Sequence, residues 1–145
     1  MQHNKHVLSE KPLAINKVEA AKMIAMSKEK GLFFMEGLWT RFNPTFVAIK
    51  KIIDSGEIGD IKFINADFSF KSNHSLDSRV FDLKLGGGAL LDIGIYPAFL
   101  TYALLGKPKE ILAKSIFNEA TKCDVQSSMI FHYENAQAIL YSGFM

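Results

Sequence analysis

Cysteine is almost absent from this sequence, and neither sign of charge is in large excess. The 145 residues include one cysteine, Cys123, which excludes an internal disulfide framework and a zinc site built from several cysteines. Lysine and arginine number 17 against 15 acidic residues, a net charge of +2, which is too small to indicate nucleic acid as a partner. Residues 1–6 lack the apolar core of a signal peptide, so we expect a cytoplasmic protein.

Metal-ligand spacing is missing as well. The chain has four histidines, His3, His6, His74 and His132. Their positions show no spacing of the kind that metal sites use. The sequence therefore predicts no metal site.

One apolar stretch has the length of a membrane span. Residues 86–106 carry a single charge, Asp92, but glycines open the stretch, and Gly94 and Pro97 interrupt it. A buried helix in a soluble protein explains this pattern better than a membrane span does. We therefore expect no membrane partner.

The first third of the chain predicts a βαβ unit. Its elements are a strand at residues 6–9, a helix at 16–30 and a strand at 32–35. Asn16 is the expected N-cap, with Glu19 three residues later, and Gly31 is the expected stop. A strand as apolar on both sides as residues 32–35 is typical of a buried parallel sheet.

The remainder of the chain predicts an α+β arrangement. It has a helix at 44–54, a second helix that follows the glycines 86–88 and runs to about 105, and strands at 61–70, 110–117, 125–133 and 137–144. The alternation in residues 61–70 indicates a half-buried antiparallel strand. The polar loop 71–85 is long enough to suggest a function, and the last strand is expected at a sheet edge. The predicted fold class is an α/β region followed by an α+β domain with an open, mainly antiparallel sheet.

The segment Glu10-Lys11-Pro12 follows the first strand and is the first candidate site. Ligands of open parallel sheets bind beyond the carboxyl ends of the strands, so Lys11 is placed to meet a ligand. An ordinary surface lysine in a turn explains the same residues.

The second candidate is the glycine-led segment from Gly86 to Pro97. Its glycines permit close backbone approach to a ligand and could cradle a phosphate. Asp92 and Tyr96 are four residues apart and share a helix face, and with a nearby lysine they would form a proton-transfer set. The alternative is a structural aspartate that bonds backbone groups beside a packed tyrosine.

The third candidate is the run Trp39-Thr40-Arg41-Phe42. Trp39 and Arg41 beside a strand end could line a pocket. An ordinary core position for Trp39 explains the run equally well.

Three motifs carry a family resemblance. They are Val7-Leu8-Ser9-Glu10-Lys11-Pro12-Leu13-Ala14, Met35-Glu36-Gly37-Leu38-Trp39-Thr40-Arg41-Phe42 and Gly86-Gly87-Gly88-Ala89-Leu90-Leu91-Asp92-Ile93-Gly94-Ile95-Tyr96-Pro97. In this order they resemble the Gfo/Idh/MocA oxidoreductases, in particular the dimeric dihydrodiol dehydrogenases and glucose–fructose oxidoreductase-like members. The resemblance implies an enzyme that depends on NAD or NADP and interconverts a secondary alcohol, in a sugar, polyol or cyclic diol, with its carbonyl.

The resemblance also implies domains and residue roles. Residues 1–42 would be the C-terminal remnant of a dinucleotide-binding Rossmann domain, and 43–145 an incomplete substrate domain whose sheet face makes a homo-oligomer. The implied catalytic residues are Lys11, Asp92 and Tyr96, with Tyr96 moving the hydroxyl proton. The implied cofactor-binding residues are Glu10, Lys11, Pro12, Trp39 and Arg41.

The sequence departs from the family in one large respect. The G-x-G-x-x-G fingerprint that binds the pyrophosphate would stand before the Glu-Lys-Pro strand, and it is absent here. We therefore expect a chain truncated at both ends and inactive in isolation. Two alternatives stay open: a non-catalytic interaction or dimerisation module that keeps the family sheet, and a sugar-modifying lyase on the same scaffold.

Overall fold

The computed structural model describes residues 1–144. The chain divides into two compact units, Met1–Trp39 and Thr40–Met145, which we call the N-terminal unit and the sheet unit. Compactness does not define the limits of a functional domain. The assignment of residues 1–42 and 43–145 to two domains therefore stays a prediction.

The N-terminal unit is a βαβ arrangement, as predicted. It contains β1 (Val7–Ser9), α1 (Lys17–Lys30) and β2 (Phe34–Glu36), and the two strands pair in parallel, with Val7 opposite Phe34. The Asn16 side chain accepts a hydrogen bond from the Glu19 amide at 3.0 Å, and Gly31 ends α1 in the left-handed conformation. The expected full burial of the second strand is wrong, because its residues are only half-buried and Phe33 before it is exposed. Two strands and one helix cannot cover both faces of a sheet.

The sheet unit contains two α-helices, one π-helix and four strands. They are α2 (Pro44–Asp54), a π-helix (Leu90–Gly94), α3 (Ile95–Leu105), β3 (Phe63–Ser69), β4 (Glu110–Phe117), β5 (Asp124–His132) and β6 (Gln137–Gly143). Short 3₁₀ turns lie at Trp39–Phe42, Arg79–Phe81 and Leu83–Leu85. The strands form one sheet in the order β3-β6-β5-β4.

Two predictions about this sheet are wrong. β3 pairs in parallel with β6, with Phe63 opposite Gln137, so it is not an antiparallel strand; alternation reports burial on one face and carries no information on direction. The last strand, β6, lies between β3 and β5 and is not an edge. The other two pairings are antiparallel, so the sheet is mixed and antiparallel in two of its three pairings.

The core lies between one face of the sheet and the π-helix–α3 segment. One buried cluster consists of Met129, Phe131, Tyr133, Ala138 and Leu140, with Ala98 and Leu105 of α3 packed against it. A second consists of Val80, Phe81, Ala89, Ile93, Cys123, Val125 and Phe144. The presence of Val80 and Phe81 in this second cluster shows that the predicted polar loop 71–85 is anchored in the core over its later part.

The apolar stretch before β4 is not one continuous α-helix. By length and composition Leu83–Leu105 could cross a membrane, and 33% of its most apolar window is buried. The segment passes from a 3₁₀ turn through glycines into a π-helix and then into α3. Pro97 is the third residue of α3, and its missing N–H suits the wide turn just before it.

Candidate functional site

The two strand ends of the N-terminal unit lie side by side. Because β1 and β2 are parallel, Glu10 and Lys11 follow one carboxyl end and Gly37 follows the other at the same edge. The Gly37 amide donates to the Ser9 carbonyl at 2.6 Å. A Cβ at Gly37 would lie 3.1 Å from that oxygen, so glycine permits this close approach.

Glu36 fixes the segment that carries Lys11 and Pro12. The Leu13 amide donates to Glu36 Oε1 at 2.8 Å, which ties the turn after β1 to the end of β2. The Lys11–Pro12 peptide is cis. Sequence reasoning gave Glu36 no role, although its position at a strand end three residues before Trp39 is the signal that could have found it.

Trp39 and Arg41 of the third candidate have different surroundings. Trp39 is exposed, so the alternative that it is an ordinary core residue is wrong. Arg41 lines a groove of about 420 Å³ in the sheet unit, together with Phe46, Phe99 and Tyr102 of the helices α2 and α3. Apolar walls with a basic rim suit an anionic ligand that has an apolar part.

A carboxylate of the protein itself, that of Asp124, lies against the glycine-led segment. Asp124 Oδ2 accepts a hydrogen bond from the Leu90 amide at 2.7 Å and from the Ser127 hydroxyl at 2.9 Å. Gly88 has a φ of +121°, and a Cβ there would collide with the Asp124 carboxylate. The interpretation of these glycines as a phosphate cradle is therefore wrong, because Asp124 takes the anion's place.

Asp92 and Tyr96 stand on successive turns where the π-helix passes into α3. Asp92 Oδ1 accepts from Arg79 Nη2 at 3.3 Å, and the Asp92 side chain is only 18% exposed. The Tyr96 ring packs on Phe68 of β3, with ring centroids 5.4 Å apart. Sequence reasoning did not identify Arg79, although a lone arginine in the long loop before the glycines was an available signal.

Aromatic rings extend from Tyr96 along the sheet. Phe68 contacts Phe70 at 6.0 Å, Phe70 contacts Phe144 at 5.8 Å, and Phe144 contacts the buried Phe81 at 5.7 Å. Phe68 and Phe70 are exposed, so an open apolar surface lies beside the Tyr96 ring. Such a surface can pack against an apolar ring of a ligand.

The predicted catalytic residues are divided between the units. Lys11 belongs to the N-terminal unit, and Asp92 and Tyr96 belong to the sheet unit. The structure therefore brings Asp92 and Tyr96 together, and the inclusion of Lys11 in the same site stays a prediction.

Cysteine and metal chemistry add nothing to this site within residues 1–144. Cys123 is buried and free, and burial raises the pKa of its thiol, which makes the residue unreactive in the folded state. Among the described residues, no group of three His, Cys, Asp or Glu side chains could hold a metal ion.

The profile of the GFO/IDH/MocA C-terminal domain matches residues 46–145. The chain belongs to the GFO/IDH/MocA family. The resemblance drawn from the three motifs is thereby confirmed. The family's C-terminal domain accounts for the sheet unit, including the glycine-led segment, Asp92 and Tyr96.

Known members of the family are similar along almost the whole chain. The trans-1,2-dihydrobenzene-1,2-diol dehydrogenase of Xenopus tropicalis is 38% identical over 148 residues, which cover 100% of this chain and 44% of that protein. The aldose-aldose oxidoreductase of Caulobacter crescentus, solved with glycerol, has a TM-score of 0.91 at 25% identity and covers 99% of this chain and 44% of its own. A 3-ketoreductase of Actinomadura kijaniata, solved with NADP and TDP-benzene, has a TM-score of 0.87 at 30% identity, covering 97% and 44%. This chain thus spans less than half the length of these relatives.

Proposed function

We propose that this chain contributes the substrate-side residues of an NAD(P)-dependent oxidoreductase acting on a secondary alcohol. The observation that carries the proposal is the pairing of Asp92 and Tyr96 on successive turns beside an open aromatic surface. It is supported by relatives that are named as a dehydrogenase and an oxidoreductase and are similar over nearly all of the chain.

In the proposed reaction the substrate hydroxyl gives its proton to the phenolate form of Tyr96. The carbon that bears this hydroxyl loses a hydride and becomes a carbonyl carbon. The nicotinamide cofactor supplies the hydride acceptor. By the roles that the family resemblance implies, the charge of Lys11 would stabilise the phenolate form of Tyr96, and Asp92 would position Lys11 and the substrate. The reverse direction returns the Tyr96 proton to the carbonyl oxygen.

The strand ends of the N-terminal unit fit the nicotinamide end of such a cofactor. Glu10, Lys11, Pro12 and Trp39 follow the carboxyl ends of parallel strands, the place where open α/β sheets bind dinucleotides. The close approach at Gly37, which a Cβ would hinder, leaves this edge compact. We assign the same role to Arg41, and we interpret residues 1–42 as Rossmann-derived.

The substrate that we propose is a cyclic diol, with a sugar as the second candidate. Phe68 and Phe70 beside Tyr96 favour an apolar ring next to the reacting hydroxyl. The name of the Xenopus tropicalis relative supports a diol, whereas the name of the Caulobacter crescentus neighbour supports an aldose.

We also propose that the outer sheet face joins two copies of the chain in a cytoplasmic homo-oligomer. Ile139, Ile130 and Leu112 occupy one row across three strands on this face, and all three are exposed. A contiguous apolar row of this kind marks an interface in many soluble proteins. A non-catalytic dimerisation module would use the same face, so activity separates that alternative from the enzyme.

The test is turnover of the protein in the form that its source produces. Purified protein is incubated with NAD⁺ or NADP⁺ and a trans-dihydrodiol or an aldose, and the reduced cofactor is followed by absorbance. We expect Tyr96→Phe to lower turnover about 10²- to 10⁴-fold. Tyr141→Phe, on strand β6 and outside the groove and the Asp92–Tyr96 pair, is the matched control and should leave turnover within about twofold.

Equal activity of Tyr96→Phe and the unaltered protein would overturn the role of Tyr96. Product formed without any nicotinamide cofactor would instead favour a lyase. For the 145-residue chain alone we expect no micromolar affinity for NAD(P)H, because the pyrophosphate fingerprint is absent from its sequence; calorimetric titration measures this directly.

A further inference from the structure

Arg79 donates a charge-assisted hydrogen bond to one of the two proposed site residues of the sheet unit. Its Nη2 lies 3.3 Å from Asp92 Oδ1, and the Asp92 side chain is 18% exposed against 57% for Arg79. A carboxylate removed this far from water gains more from a guanidinium than an exposed one does. The pair therefore joins a sheltered anion to a cation that still reaches solvent.

The backbone around Arg79 is held against the glycine-led segment. The Gly88 amide donates to the Val80 carbonyl at 2.8 Å, and the Gly87 amide donates to the Asp82 carbonyl at 2.8 Å. A Cβ at Gly87 would lie 2.9 Å from the Arg79 carbonyl oxygen. The turn that carries Arg79 is thus in direct backbone contact with the segment that leads into Asp92.

The core fixes the same turn from the other side. Val80 and Phe81, the two residues after Arg79, are buried in the cluster that also contains Ile93, the neighbour of Asp92. Because both ends of the ion pair sit beside residues of one cluster, the distance between them is set by the fold and not by two mobile side chains alone.

We propose that Arg79 is a positioning residue for the reaction: it holds the Asp92 carboxylate in the orientation that the proton transfer at Tyr96 requires. This role rests on the proposed function. Arg79 acts through Asp92 in this proposal, so its loss should lower kcat while substrate binding, measured by KM, changes little. If Arg79 bound the substrate directly, its replacement would raise KM instead.

The experiment is a double-mutant cycle in the protein as its source produces it. The variants are Arg79→Met, Arg79→Lys, Asp92→Asn and the double variant Arg79→Met/Asp92→Asn, with Lys84→Met as the control for loss of an exposed cation on the same loop. We expect Arg79→Met to lower kcat about 10- to 100-fold and Arg79→Lys to recover part of that loss. In the Asp92→Asn background, Arg79→Met should cause no further loss. Lys84→Met should match the unaltered protein.

Three results would overturn the positioning role: an unchanged kcat in Arg79→Met, a loss confined to KM, or the same fold loss with and without Asp92. If Arg79→Met does not fold, as judged by circular dichroism, Arg79→Lys decides the matter, because a kcat equal to that of the unaltered protein in a variant that cannot reproduce the planar guanidinium contact contradicts the proposal. Absence of turnover in the unaltered protein is a different outcome, since it refutes the proposed function itself.

Discussion

The N-terminal unit and the sheet unit differ most in what they bury. Between Met1 and Trp39, Leu38 is the one buried side chain, and Leu8, Val18 and Phe33 are exposed. The sheet unit contains both buried clusters. A two-stranded sheet with one helix buries too little apolar surface for much stability of its own, whereas four strands under a helix form a core. The proposed cofactor-binding edge therefore belongs to the unit that buries less apolar surface, and the proposed proton-transfer pair belongs to the unit that buries more.

The largest expected contrast between the units is in chemical accessibility. Cys123 has no exposed surface, so a thiol reagent should label it at least about 10³-fold more slowly in the native chain than in urea. A cysteine placed at Leu8→Cys in a Cys123→Ala background should be labelled within about tenfold of the unfolded rate, because Leu8 is 65% exposed. Fast native labelling of Cys123 would contradict the assignment of the stable core to the sheet unit.

Truncation of a core side chain should separate the units by free energy. Leu140→Ala removes a fully buried side chain at the centre of one cluster and should lower the free energy of unfolding by about 2–5 kcal/mol. Leu8→Ala is the matched leucine in the N-terminal unit and should change it by less than about 0.5 kcal/mol. Urea unfolding followed by circular dichroism measures both. Equal effects would show that the two units are equally packed.

Helix caps give a smaller and more local comparison. Asn16 caps α1 through the Glu19 amide, and Asn43 caps α2 through the Thr45 amide at 2.9 Å. Replacing either asparagine by alanine should cost about 1 kcal/mol. Amide hydrogen exchange should localise the effect of Asn16→Ala to residues 17–30, since the sheet unit has its own core. Faster exchange in β5 or β6 after Asn16→Ala would show that the units unfold together.

The smallest effect is expected from an exposed ion pair. Lys50 Nζ lies 2.8 Å from Asp54 Oδ1 one helical turn away, with side chains 40% and 59% exposed. Lys50→Met should lower the free energy of unfolding by about 0.3–0.5 kcal/mol at low salt and by less at 1 M salt. A loss above about 1 kcal/mol would indicate that Lys50 also packs in the groove between α2 and α3 and is not merely a surface charge.

Local signals in the sequence predicted the elements well. The bounds of α2 and β4 are those expected from their apolar spacing, and Asn16 and Gly31 delimit α1 because capping depends on residues within a few positions. Pairing direction was not predictable from the same signals. The register of β3 with β6 depends on which strand lies nearest in space, and nothing in residues 61–70 records that.

For the candidate site, the sequence suggested residue types but not the contacts that the structure shows. Asp92 and Tyr96 were predicted from helical spacing and from the motif that contains them, and their catalytic roles stay predictions. The contacts of Arg79 and Asp124 were not predicted, because they join residues 13 and 34 positions apart, beyond the reach of helical spacing. Asp124 also explains why the glycines were wrongly interpreted as a phosphate cradle. The anion that lies against them is the carboxylate of Asp124, a residue of the protein itself.

The parallel pairing of β3 with β6 also determines when the sheet can assemble. Phe63 pairs with Gln137, about half the chain length away, so the two strands must close a long loop before they gain any contact. During synthesis β6 leaves the ribosome after the other three strands, although it lies between β3 and β5. A nascent chain halted at residue 136 would hold β3 without its partner and the apolar side chains of β5 without Leu140. Chaperones could bind these exposed surfaces until the seven residues of β6 emerged from the ribosome.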